Sequence, residues 1–176
     1  LDLSSGSVRL TATGEKVGSS LLTASGRVFY GNDLFQLRSV PSDGSAPPVL
    51  VATSSAAPSG LQMSPDESRI VFLRSGSPSV LFAVPSSGGT PVRLSDVGSS
   101  DSIQSAFQIT PDSPRVAYRQ GSFSTRTSLH SARLDGSSPP VKLAERDCNG
   151  FRIGPGGRRV LFLGGPADSG ENDLFS

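Results

Sequence analysis

The sequence predicts an all-β fold: a β-propeller of four-stranded antiparallel blades, with four repeat periods in the chain and a cut inside one blade. Three observations predict it. A turn-and-strand unit recurs, as Met63-Ser-Pro-Asp-Glu-Ser-Arg-Ile-Val-Phe-Leu73, Ile109-Thr-Pro-Asp-Ser-Pro-Arg-Val-Ala-Tyr118, Ile153-Gly-Pro-Gly-Gly-Arg-Arg-Val-Leu-Phe162 and a copy with a shorter turn, Leu22-Thr-Ala-Ser-Gly-Arg-Val-Phe-Tyr30. The arginines that open the second strands, Arg27, Arg69, Arg115 and Arg159, are spaced by 42, 46 and 44 residues. Four short strands in about 40–45 residues is the period of a propeller blade. No segment holds a 3.6-residue apolar period, so few or no helices are expected.

The elements follow in order. Residues 1–10 repeat the end of a unit: a strand, a Ser-Ser-Gly turn and the strand Val8-Arg9-Leu10, matching residues 83–94 through the turn and Val92-Arg93-Leu94. After a polar loop over 11–19, strands are expected at 20–22, 27–30, 33–40 and 49–51. Gly31-Asn32 is read as the hairpin turn, because Gly and Asn tolerate the backbone angles of tight turns. The second unit has strands at 61–63, 69–73, 79–84 and 91–94, and the third at 106–109, 115–120, 128–134 and 141–143. The fourth has strands at 150–153 and 159–163 and begins a third at Asp173. The chain thus reads as a single propeller or part-propeller domain, 1–176. It comprises a half-blade at 1–10, blades at about 20–52, 60–94 and 105–143, and a half-blade at about 150–176.

Joined end to end, residues 172–176 and 1–10 reproduce residues 79–94, and Arg159 to Arg27 across the join is again 44 residues. An open blade leaves an unpaired strand edge. Three arrangements would seal it: one chain closing as a four-bladed ring, two chains closing as an eight-bladed ring, or further blades elsewhere in a longer chain.

Composition narrows the function classes. Of 176 residues, 35% are hydrophobic and 18% charged, with 20 Gly and 14 Pro, a mix suited to short strands and turns. The net charge of +1 points to no nucleic-acid surface. The single cysteine, Cys148, excludes an internal disulfide and a cysteine-based metal cluster. No apolar run approaches the roughly 18 residues of a membrane span. No cofactor is expected.

The residues Ser64-Pro-Asp66, Arg69-Ile-Val-Phe72, Leu81-Phe82 and Arg93-Leu94 resemble the TolB-type propeller repeat, a Ser-Pro-Asp, WD-like family. The likeness covers essentially the whole chain. It is strongest in the second unit and weakest in the first, where Ala24-Ser25-Gly26 stands in for the turn; Glu67 and Ser113 replace the glycine of the pattern. The resemblance implies a periplasmic or secreted, non-enzymatic protein that binds a protein or peptide partner. It also admits the propeller portion of a larger enzyme, such as an oligopeptidase. A third reading, apart from the resemblance, is a ligand-free assembly module whose chains exchange strands.

Candidate site residues fall in three groups. In the innermost strands, Gln62, Gln108 and Arg152 alternate with apolar neighbours. They would either line a central channel and contact a ligand, or satisfy buried backbone groups between blades, the reading that carries more weight. The long connections should emerge on one face, where Asp101, Gln104, Arg119, Arg126, Arg146, Asp147 and Asn149 have the reach to bind a partner. The recurrent arginines fit a structural role, such as bonding turn carbonyls. Asp168, Glu171 and Asp173 are acidic but lack the regular spacing of a calcium loop. His130 is the one histidine, so a Ser-His-Asp triad could form only around it, and no Gly-x-Ser-x-Gly elbow supplies the serine. Cys148 reads as a buried small residue.

Overall fold

Each recurrence of the turn opens an antiparallel sheet. The computed structural model describes residues 7–98, 101–112, 114–121, 127–144, 147–165 and 173–176, and not the side chains of residues 105 and 106. The first sheet holds β1 (Val17–Leu22), β2 (Arg27–Asn32), β3 (Gln36–Pro41) and β4 (Val49–Thr53) in sequence order. The second holds β5 (Pro58–Met63), β6 (Arg69–Arg74), β7 (Val80–Pro85) and β8 (Val92–Arg93). The third holds β9 (Ser102–Ile109), β10 (Arg115–Gly121), β11 (Ser128–Arg133) and β12 (Val141–Ala144). The fourth has three strands, β13 (Gly150–Ile153), β14 (Val160–Gly164) and β15 (Asp173–Phe175). The described residues contain no helix, and the chain is a partial β-propeller.

The recurrent turn forms because its side chains replace backbone partners. Ser64 Oγ donates to Asp66 Oδ1 at 2.6 Å and accepts from Arg69 N at 2.9 Å, while Ser68 N donates to Asp66 Oδ1 at 3.1 Å. Thr23 and Thr110 take the place of Ser64 in the first and third blades, each hydroxyl reaching the carbonyl of the arginine that follows. The corner after the turn is left-handed: Gly26 has φ 79°, Gly157 φ 64° and Glu67 φ 53°. Glutamate is disfavoured there. Its carboxylate Oε1 accepts from Ala24 N at 2.8 Å and Ser25 N at 3.3 Å, which ties the second blade's turn to the first blade's turn.

The core lies between blades. Along β6, Ile70 and Phe72 point toward the first blade and pack with Phe29, Leu37 and Val51. Val71 and Leu73 point the other way and pack with Val116, Tyr118 and Leu134 of the third blade. Both faces being covered explains why β6 reads as a continuous apolar run rather than an alternation.

Two local expectations change. Gly31 and Asn32 belong to β2, and the turn lies at residues 33–35. Asn32 builds that turn from its side chain: Oδ1 accepts from Leu34 N at 3.2 Å and Gln36 N at 2.9 Å. The expected strand Val8-Arg9-Leu10 is in no sheet. It lies against the first blade, where a Cβ on Gly44 would meet Val8 Cγ1 at 2.6 Å. The same glycine position in the next two blades, Gly88 and Gly136, meets Val51 of β4 and Val92 of β8. Val8 therefore sits where the fourth strand of a preceding blade would sit, and among the described residues no strand pairs with it.

Candidate functional site

The connections between blades and the hairpins joining second to third strands share one face of the propeller. Backbone bonds record this: Ser54 N to Phe35 O at 2.8 Å, Ser75 N to Ala57 O at 3.4 Å, and Cys148 N to Thr127 O at 2.7 Å. The third blade carries a polar cluster on that face. Thr127 is its centre. Its N–H donates to Asp147 Oδ1 at 2.7 Å, its hydroxyl donates to Cys148 O at 2.8 Å, and Arg119 Nη2 donates to its hydroxyl oxygen at 3.4 Å. These bonds pin the end of the third blade's hairpin to the connection leading into the fourth blade. Asn149 N donates to Leu163 O at 2.8 Å, and Gly164 leaves no room for a Cβ beside Asp147 O. Cys148 is fully buried within this clamp, and burial pushes its thiol up, so a thiolate is disfavoured.

The other side of β10 faces the second blade. Gln120, 8% exposed, donates through Nε2 to Asp96 O at 2.7 Å. Tyr118 donates to Leu94 O at 3.2 Å and stacks on His130 at 5.7 Å. Burial first, and then the Lys142 charge, hold His130 below its ordinary pKa against the opposing pull of Asp101. Neutral at pH 7, its Nε2 lies 2.8 Å from Ser128 Oγ. That is nucleophile-and-base reach. No carboxylate is hydrogen-bonded to the other ring nitrogen among the described residues, so a triad is not assembled there.

The structure divides the expected site residues. Arg119 and Asp147 converge on Thr127, with Asn149 on the same connection. Gln104 Nε2 donates to Gly121 O at 3.1 Å, and Asp101 stands on the second-blade side near His130. Arg126 and Arg146 lie outside the described residues, as do Asp168 and Glu171; Asp173 is exposed in β15. Gln62 and Gln108 bridge inner strands of successive blades: Gln62 Nε2 donates to Phe107 O at 2.8 Å, and Gln108 Oε1 accepts from Ile153 N at 3.1 Å. Arg152, one blade on, is exposed. Two of the recurrent arginines bond side chains in their own sheets rather than turn carbonyls. Arg27 donates to Ser39 Oγ at 2.8 Å and Arg115 to Ser131 Oγ at 3.0 Å, while in the second blade Ala83, paired with Val71, holds the position of those serines.

Sequence reasoning missed Thr127, Gln120 and Ser128. Thr127 has no motif. Gln120 and Ser128 are signalled weakly, by the two-residue alternation that sets Gln120 on the face of Tyr118 and pairs it with Ser128. A second polar group forms on the first blade, where Glu15 accepts from Tyr30 Oη at 3.1 Å and Asn32 Nδ2 at 2.6 Å. Burial raises the Glu15 pKa, but these bonds and that from Ala12 N outweigh it and hold the group below its ordinary value. Burial and the Glu15 charge push Tyr30 up to about 12.

No group of three or more His, Cys, Asp or Glu side chains that could hold a metal ion occurs among the described residues. Among the described residues no helix is long and apolar enough to cross a membrane. No protein-family model matches the chain, and no curated protein matches it. Among solved structures it is similar to TolB from Acinetobacter baumannii, at 16% identity and a TM-score of 0.56, over 85% of this chain and 38% of that one. It is also similar to a puromycin-hydrolyzing peptidase of Mycobacterium tuberculosis, at 14% identity and a TM-score of 0.62, over 92% of this chain and 29% of that one. The chain thus spans well under half the length of either. At these identities the likeness is one of fold, a TolB-like β-propeller.

Proposed function

We propose that the chain is a non-enzymatic propeller of the TolB-type repeat that binds a protein or peptide partner on the face carrying its long connections. The observation that supports this reading most is the Thr127 clamp. It fixes two connections of that face to each other on rigid strands, with Arg119 and Asp147 held in the clamp and Asn149 exposed beside it. Loops held by a rigid scaffold are where binding groups are usually placed. Likeness to TolB supports placing the protein in the periplasm or outside the cell, which cell fractionation tests.

Selection of a displayed peptide library on the folded chain, with counter-selection on Asp101→Ala and Asn149→Ala variants, tests the reading. Clones that bind the wild-type chain and lose at least tenfold in affinity on those variants support it. Clones indifferent to both variants, or no enrichment at all, overturn it.

A second reading, the propeller portion of a larger enzyme such as an oligopeptidase, is favoured by the likeness to the peptidase. In that case the protein would position or gate peptide substrates for a separate hydrolase domain. Cleavage of a fluorogenic peptide by the full-length protein, absent when that second domain is removed, would establish it.

A further inference from the structure

The second and third blades meet at their recurrent turns in a cleft of about 460 Å³, on the face opposite the long connections. Its volume lies in the usual range of ligand sites. Pro65, Pro111 and Pro114 give it rigid apolar walls, and the buried Leu134 lines it with them. The first blade packs against the second and the fourth is bonded to the third, so both walls of the cleft stand inside the array of blades.

Two charges of the cleft lack partners. In the first and third blades the recurrent arginine is tied to Ser39 or Ser131, but in the second blade Ala83 stands where that serine would be. The guanidinium of Arg69, which lines the cleft, makes no hydrogen bond or ion pair with any described residue. Asp112, in the third blade's turn, is exposed and its carboxylate is bonded to no described residue. The other two carboxylates of the cleft are committed to their own turns. Asp66 accepts from Ser64 Oγ at 2.6 Å and Ser68 Oγ at 2.8 Å, and Asp135 from Ser137 N at 3.0 Å and Arg133 Nη2 at 3.3 Å. They add negative potential to the cleft without needing a further partner. Three carboxylates against one guanidinium select a ligand of both signs. A lone anion meets Arg69 but is repelled by the aspartates, and a lone cation leaves Arg69 unpaired. A carboxylate and a cation on one residue satisfy both.

We infer that this cleft binds the carboxyl terminus of a peptide ending in a basic residue, with the terminal carboxylate on Arg69 and the side-chain cation on Asp112. A guanidinium offers a carboxylate two parallel N–H donors. The proline rings flank the aliphatic stem of the last residue, which is apolar up to its charged head. Asp66 and Asp135 disfavour an acidic side chain in the same place. The cleft lies on the opposite face from the Thr127 clamp, so the two sites stand or fall independently.

The test titrates acetyl-Ala-Ala-Ala-Lys into the 176-residue chain by isothermal calorimetry at low salt. Two further peptides are compared, one with an amidated terminus and one with norleucine in place of lysine. The free-acid lysine peptide is expected to bind, and each altered peptide to bind at least about tenfold more weakly, the scale of a charged hydrogen bond. These comparisons need no change in the protein. Arg69→Gln should abolish the discrimination between acid and amide, and Asp112→Asn that between lysine and norleucine. Ala83→Ser supplies the partner that the other blades have. It should draw the guanidinium back onto the sheet and weaken binding roughly threefold or more, although Arg69 is intact. No heat of binding at millimolar peptide, or equal affinity for the three peptides, overturns the inference. A discrimination that survives its matching substitution, or an Ala83→Ser chain that binds as the wild type does, overturns it equally.

Discussion

Glu67 shows how one residue can oppose its own backbone and still serve the fold. At φ 53° it occupies the left-handed corner that Gly26 and Gly157 fill in other blades, and its carboxylate binds two amides of the neighbouring turn. Glu67→Ala should therefore destabilise the protein more than Glu67→Gly, because alanine loses both bonds and keeps the backbone conflict; urea midpoints of the two variants measure the order. Gln62 does similar work in the interior. Gln62→Ala strands Phe107 O and should lower stability by about 1 kcal/mol in urea unfolding. Gly31 is fixed by space: a Cβ there would lie 2.5 Å from Pro58 O of the next blade, so Gly31→Ala should cost about 1–3 kcal/mol in the same assay.

At the scale of elements, the strands after each turn were legible and the hairpins were not. The second strands β2, β6, β10 and β14 announce themselves by an arginine and an apolar run at a fixed period. The turn at residues 33–35 gives no such signal. Asn32 is buried in strand β2 and makes the turn with its side chain, and Phe35 adopts φ 61° although nothing in its type asks for it. The site was legible to the extent that period and alternation reach. They placed Gln62 and Gln108 on the inter-blade face and Arg119, Asp147 and Asn149 on the loop face. They could not find the Thr127 clamp, which depends on how the hairpin and the next connection meet in space.

Two turns and strands also titrate in a predictable sense. Hydrogen bonds from Ser64, then Ser68, hold Asp66 down at about 2. Its contribution is present above the ordinary aspartate pKa of about 3.9 and is lost as pH falls through the depressed value. The melting temperature of an Asp66→Ala variant should accordingly fall less than that of the wild-type chain between pH 4 and pH 2. His130 behaves differently. Its folded pKa is depressed by burial and by Lys142, so the unfolded chain takes up a proton first as pH drops below about 6.5. Stability should decline from pH 7.5 to pH 5, and His130→Phe, which keeps a ring against Tyr118, should flatten that decline in urea titrations.

At the scale of the whole molecule, stability resides between blades and therefore depends on which faces are covered. Leu81 and Leu174 hold the same position in the repeat, in β7 and β15, yet one is 0% and the other 68% exposed. Residue type does not tell them apart, since burial here is decided by whether another blade stands alongside. Truncating the two gives opposite expectations from identical chemistry. Leu81→Ala opens a cavity in the cluster shared by the second and third blades and should cost about 2–5 kcal/mol at any protein concentration. Leu174→Ala removes an exposed side chain from the isolated chain and should cost no more than about 0.5 kcal/mol in dilute solution.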